Sequence, residues 1–226
     1  MKKFVSLLAI SGIAIGSPLA AAAKKPEVQE FDSISMIVEQ NATDMDTEIV
    51  IFAKTQEEGL SRFVVRDQDH KVVFRSKSQD YGNVGIREYA LETAEPPGDS
   101  VLAAYPEGTY KISGRTMSGA RVLGFVDLNH SLPTVPGFIP NEVEVDASAP
   151  VIIQWDDVGG AAYIVEVEND DLGFSMGTTV PGGTTTFVLS PDTLEAGTEY
   201  EISISVIADN GNVVAVEGEF ATLDSE

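Results

Sequence analysis

Two histidines, no cysteine and 36 carboxylates are the groups with which this 226-residue chain could do chemistry. Nucleophilic catalysis needs a hydroxyl or thiol with a base in reach. His70 falls in an expected hairpin turn and His130 closes the strand-rich first half. Neither stands in a nucleophile motif such as Gly-x-Ser-x-Gly. Zinc takes three or four convergent ligands, which two distant histidines do not supply. Asp156 and Asp157 are adjacent, whereas the two carboxylates of a glycosidase stand roughly 5–10 Å apart across a sugar. The pair reads as an acidic loop. No catalytic residue and no organic cofactor site is expected.

Calcium is the one metal with a case. Asp44, Asp46 and Glu48 alternate oxygen ligands, and Glu168 to Asp171 form a second acidic cluster. Calcium collects six to eight oxygens from loops of this kind. The first cluster lacks the glycine and closing glutamate of an EF-hand loop and runs straight into a strand, so an acidic turn is the preferred reading. Phe74, Tyr81, Tyr89, Tyr105, Phe138 and Phe174 lie near expected loops or strand ends and are candidates for carbohydrate stacking, though core burial explains several of them.

The elements that must position these groups are strands. Val151, Ile153 and Trp155 alternate with polar or solvent-side positions. Tyr163, Val165 and Val167 do the same against Glu166 and Glu168, and Tyr200, Ile202, Ile204 and Val206 against Glu201, Ser203 and Ser205. Successive strand side chains point to opposite faces, so period-2 alternation marks half-buried antiparallel strands. Turn residues separate them at 157–160, 181–183, 191–192 and 209–212. Upstream, strands are expected at 33–39, 47–53, 61–66, 71–76, 88–93, 109–114 and 121–129, with hairpins turning at 67–70 and 117–119. One helical turn is expected at 100–105, with Ser100 as its N-cap.

The core anchors of the second half are Trp155, Tyr163, Leu194 and Tyr200. Leu194 precedes a Gly197-Thr198 turn and then Tyr200. This segment resembles the entry to strand F of fibronectin type III domains, where a tyrosine hydroxyl returns to backbone. Trp155 and Tyr163 are similar to that family's strand-B tryptophan and strand-C tyrosine. The resemblance runs from about 133 to 223. It implies a β-sandwich used as a scaffold; the 209–212 turn holds no Arg-Gly-Asp, so integrin-type binding is not implied. Pro106 to Tyr110 is similar to the turn and strand of immunoglobulin-like modules. The expected fold is all-β, two antiparallel sandwiches in tandem: an immunoglobulin-like one over 24–130, a short proline-containing linker over 131–136, and a fibronectin type III-like one over 137–226.

Residues 1–23 have the three-part design of a secretory leader: Lys2 and Lys3, an apolar run from Phe4 to Ile15, and small residues Ala20 to Ala23 for cleavage. The run is shorter than the about 20 residues that span a bilayer, so no membrane insertion is expected after cleavage. The compartment implied is the periplasm or exterior of a Gram-negative cell. The absence of cysteine leaves stability to core burial.

Charge is uneven. The formal net charge is −22, yet no lysine or arginine follows Arg121, and half of the 36 carboxylates lie after residue 130. Such a field repels nucleic acid and anionic membranes. The function expected is non-catalytic binding of a protein or polysaccharide at the bacterial envelope. An accessory carbohydrate-binding component or a polysaccharide-acting enzyme is the alternative, as is a calcium-binding spacer.

Overall fold

The computed structural model describes residues 28–78, 84–94 and 98–224. The leader expected at 1–23 lies outside them, as does Tyr81. The elements in chain order are β1 (Val28–Gln29), β2 (Ser33–Asn41), β3 (Asp46–Lys54), β4 (Leu60–Arg66), β5 (Val72–Lys77), β6 (Glu88–Glu92), α1 (Gly98–Ala104), β7 (Gly108–Thr116), β8 (Arg121–Leu128), β9 (Phe138–Ile139), β10 (Glu144–Val145), β11 (Val151–Trp155), β12 (Ala162–Asn169), β13 (Phe174–Pro181), β14 (Thr186–Leu189), β15 (Glu199–Ile207) and β16 (Val213–Thr222). Each strand expected upstream of residue 130 is present within one or two residues of its expected bounds. The helix differs: it begins at Gly98, so Ser100 lies inside its first turn and is not the N-cap.

The described residues form three sheets. The first runs β1-β8-β7-β4-β5, the second β13-β12-β15-β16-β2-β3-β6 with β10 added beside β16, and the third β14-β11-β9. The second sheet is shared by two cores. Met36, Val38, Ile49 and Ile51 from β2 and β3 pack against Phe63, Val65, Tyr110 and Ile112 of the first sheet. Tyr163, Val165, Tyr200, Ile202 and Ile204 of β12 and β15 pack against Val151, Ile153, Trp155 and Leu189 of the third. Each core is the meeting of two period-2 patterns, which is why the alternation in sequence located it.

Cross-strand pairing shows on which side these cores lie. Val206 is opposite Val214, and Val214 is opposite Gln40, which shares a side with Val38. Val206 faces the second core and Val38 the first, so the first and third sheets cover the same face of the shared sheet. Among the described residues no sheet covers its other face in either half. Ser205, expected on that solvent side, is buried at 6% exposure. It is a short side chain set between Ile164 and Ala215 on the neighbouring strands.

Tyrosine hydroxyls tie strands to the turns before them. Tyr200 Oη accepts the Glu195 N–H at 2.8 Å. Tyr163 Oη accepts the Val158 N–H and donates to Asp157 Oδ1, each at 3.0 Å. In the first half, Tyr110 donates to the Pro106 carbonyl at 2.9 Å, and burial, then Asp67 and Tyr105, push its phenol up to about 12. It therefore stays a donor at any physiological pH. Trp155 is 5% exposed and packs against Tyr163 with ring centroids 5.7 Å apart.

The two halves were expected as sandwiches in tandem on a short proline-containing linker at 131–136. They also share a sheet: β16 adds to the edge of β2 in parallel, pairing Val213, Val214 and Ala215 with Glu39, Gln40 and Asn41. Asn212, 1% exposed, closes the joint. Its Oδ1 accepts the Val38 N–H at 2.9 Å, and its Nδ2 donates to the Asn129 and Ser131 carbonyls at 2.7 and 3.0 Å. Gly211, at φ +87°, makes the tight turn that presents it. A Cβ at Gly211 would also meet the Ile37 side chain at 3.3 Å.

Two outcomes are expected in calorimetric melts. Asn212→Ala leaves the buried Val38 N–H without its acceptor, at about 1–3 kcal/mol, and splits one cooperative transition into two; an unchanged single transition would refute the coupling. Trp155→Ala costs about 3–5 kcal/mol and Tyr200→Phe about 1–3 kcal/mol, and both lower the midpoint of that one transition.

Candidate functional site

The residues singled out for chemistry are occupied by structure. His70 sits in the β4–β5 turn at φ +64°, and its carbonyl accepts Arg66 Nη1 at 2.8 Å. His130 Nε2 lies 2.8 Å from the Tyr105 carbonyl, and its backbone N–H donates to Glu107. Asp156 accepts the Gly137 N–H; Asp157 accepts the Gly159 N–H and the Tyr163 hydroxyl. The Asp156–Asp157 pair therefore holds turns.

Asp44 is exposed in the β2–β3 turn, and Asp46 and Glu48 follow along β3 opposite Asn41 and Glu39. The structure strings them along a hairpin. Among the described residues no group of three or more histidine or acidic side chains converges as a metal site. In the 168–171 cluster, Glu168 accepts the Ser175 hydroxyl and Asn169 caps the turn through the Leu172 N–H. The candidate stacking aromatics face inward: Tyr89 stacks on Phe63 at 4.3 Å, Phe174 meets Tyr200 edge-on at 5.6 Å, and Phe74, Tyr105 and Phe138 pack against the two cores.

What the fold does assemble is charge, sorted by face. On the outer face of the first sheet, Lys77 stands opposite Arg62, Arg62 opposite Arg115, and Arg115 opposite Arg121. This is a row of four cations across four strands. A second row holds Arg66 opposite Lys111, and Arg75 lies beside Val64 between the rows. Like charges directly opposite on a sheet are destabilising, and the rows carry that cost. Among the described residues the only ion pair is Lys54–Glu88, at 3.0 Å on the other sheet. Arg66 and Arg115 are instead braced on their own hairpin turns, by the His70 and Gly119 carbonyls.

Val64 points outward here yet is 4% exposed. Arg62 and Arg66 flank it on β4, and Arg75 and Ser113 stand opposite it, where long cationic side chains can lay their alkyl stems over an apolar residue and keep their charged heads in water. The middle of this face forms a shallow depression of about 190 Å³ lined by Arg62, Arg66, Lys111, Arg115 and Arg121. Asp127, an acidic residue on this face, stands at its far end and accepts the Thr109 hydroxyl at 2.6 Å.

The open face of the shared sheet is the opposite. It carries Glu166 and Glu168 on β12, Glu199 and Glu201 on β15, Glu217 and Glu219 on β16, Glu39 on β2, and Asp46 and Glu48 on β3. Between the β2–β3 turn and Asn141 it dips into a concavity of about 510 Å³. There Glu219 is held above the ordinary glutamate range, first by a hydrogen bond with Glu199, then by the charges of Glu199, Glu201 and Glu142.

No family model matches the chain, and no curated protein does. Among solved structures it is similar to the FN1-FN3 domains of chicken CNTN1: 12% identical, covering 87% of this chain and 65% of that one, TM-score 0.38. It is similar to a two fibronectin type III domain segment of chicken tenascin: 12% identical, covering 83% and 98%, TM-score 0.31. A third likeness is to a 1.5-MDa bacterial ice-binding adhesin: 15% identical, covering 88% and 66%, TM-score 0.31. The chain thus spans just under two thirds of the CNTN1 and adhesin structures. Of these, the tenascin segment is by name a pair of fibronectin type III domains. The fold itself is read from this chain's own strand order: all-β, with three strands over four in the second half.

The cationic face was missed in sequence because the residues that build it come from four separate strands. Between residues 24 and 130 acids outnumber bases, so net charge hides it. The signal was present as Arg and Lys at even spacings within a strand: 62 and 66, 75 and 77, 111 and 115.

A titration is expected to follow from Glu219. Its folded pKa is raised, so the stabilisation is complete below the unfolded value near 4.5 and is lost as pH rises through the folded value. Asp146 and Glu58, lowered by hydrogen bonds from Ser148 and Ser118, work in the reverse sense. The comparison is therefore between variant and parent. Glu219→Gln raises Tm at about pH 7 and loses that advantage by about pH 4; an advantage equal at both pH values would show that Glu219 is unperturbed.

Proposed function

We propose that this chain is an exported, non-catalytic interaction module of the bacterial envelope, and that it recognises an acidic polysaccharide through the cationic face of the β5-β4-β7-β8 sheet. The observation that carries the reading is the in-register row Lys77, Arg62, Arg115 and Arg121, with no ion pair to any of them among the described residues, in a chain of net charge −22. Adjacent strands lie about 4.8 Å apart, so the row spans about 14 Å with a charge at each strand. A flat, periodic array of this kind suits an extended polyanion with regularly spaced carboxylates or sulfates better than it suits a compact anion. Arg62, Arg115 and Arg121 present guanidinium forks that pair with such groups bidentately.

The leader-like start and the engagement of both histidines and Asp157 in turn and strand contacts support export and a non-catalytic role.

The test is binding of the chain to immobilised alginate and dextran sulfate, with neutral dextran as reference. Retention on the anionic polymers is expected, weakening steeply as salt rises. The double variant Arg62→Glu, Arg115→Glu is expected to lose tenfold or more in affinity, about 1.4 kcal/mol or more, while Lys54→Glu on the other sheet changes little. Equal retention on neutral dextran, or indifference to the double variant, would remove this reading. Preferential retention on an acidic protein or on DNA would replace its ligand.

A further inference from the structure

We propose that β13 is a pairing edge at which a second copy of this chain adds strand to strand, extending the shared sheet across a two-fold axis. From Leu172 to Pro191 the sequence contains no charged residue, although Asp171 and Asp192 flank it and no cation follows Arg121. Within that stretch β13 ends the shared sheet, with β12 on one side and no strand among the described residues on the other. It pairs with β12 over all eight residues without a register shift.

Edge strands are ordinarily blunted by lysine, inward charge, bulges or proline. β13 has only Pro181, at its last position. Phe174, Met176 and Val180 pack against the core, and Ser175, Gly177 and Thr179 are exposed. The outer row of backbone donors and acceptors is thus presented on a straight, neutral strand. Edge addition is already how this molecule joins its halves, through β16 and β2.

The charge pattern selects the occupant. Glu166 and Glu168 lie one strand inward, on β12. When β13 pairs with its own copy, the two β12 backbones are held three strand spacings apart, about 14 Å, while Glu168 leans over β13 to the Ser175 hydroxyl and brings its charge nearer the joint. Repulsion between the two rows therefore weakens as salt rises, its reach falling from about 30 Å at 0.01 M to about 8 Å at 0.15 M. Two neutral strands therefore act as a spacer, and the contact is isologous, each strand meeting itself. A basic strand from another protein would be drawn by the same carboxylates, most strongly at low salt.

The contact is separate from the cationic face, and its salt dependence has the opposite sign to polyanion binding. Failure of one reading leaves the other standing. Sedimentation velocity of the chain at about 0.01, 0.15 and 0.5 M sodium chloride is expected to show a dimer whose fraction rises with salt. Thr179→Glu, which puts a charge on the exposed side of the edge, is expected to weaken association at least tenfold; Thr179→Gln changes it less than about twofold. Circular dichroism verifies folding, and Ser175→Glu replaces the first variant if it does not fold. A monomer at every salt concentration, a dimer that dissociates as salt rises, or one indifferent to the carboxylate would overturn the proposal.

Discussion

The parallel addition of β16 to β2, sealed by Asn212, is the constraint on which the rest of the molecule depends. An edge strand of one half satisfies an edge strand of the other, so two open edges disappear from a chain that has no disulfide to hold it. Asn212 reaches where the ladder does not: it supplies an acceptor for the Val38 N–H and donors for two carbonyls of the connecting segment. A buried amide with these partners met stabilises; with any one missing it would cost more than an apolar residue. The joint is therefore specific in register as well as in place.

That register has an electrostatic consequence. Because the first and third sheets cover the same side of the shared sheet, one face of the molecule stays open across both halves, and the outer face of the first sheet points the other way. Period-2 alternation then sorts charge by parity. Glutamates at alternate positions of β12, β15 and β16 gather on the open face, and arginines and lysines at alternate positions of β4, β5 and β7 on the opposite one. The core between them separates the two charge sets, so they do not neutralise one another. A molecule of strongly negative net charge thus has a positive side, and the partners available to it depend on the face it offers.

The two cores use a common device. Tyr110, Tyr163 and Tyr200 each place a ring in the core and return the hydroxyl to a turn a few residues upstream. Each fixes the angle at which a strand leaves its turn, and so the register of the strand that follows. Asp156, Asp157 and His130 serve the same economy: polar groups that resembled candidates for chemistry are engaged with backbone, as buried or half-buried polar groups generally must be.

The sequence by itself determined the strands, their inward faces and the tyrosine turns, because alternation and turn chemistry act over a few neighbouring residues. Trp155, Tyr163, Leu194 and Tyr200 were legible as core for that reason, and each is buried at 5% exposure or less. The helix start was misplaced by two residues, since an N-cap depends on backbone geometry that Ser100 and the Pro96–Gly98 break do not specify. Which strands are neighbours was not legible. The β16–β2 joint pairs residues about 174 apart in the chain, the separation of Val38 and Asn212, and nothing local marks Asn212 as its key. The cationic row escaped for the same reason: Arg62, Lys77, Arg115 and Arg121 become neighbours only when four strands align. Local forces wrote the faces of each strand; long-range pairing decided which faces met, and with that where the charges of this protein lie.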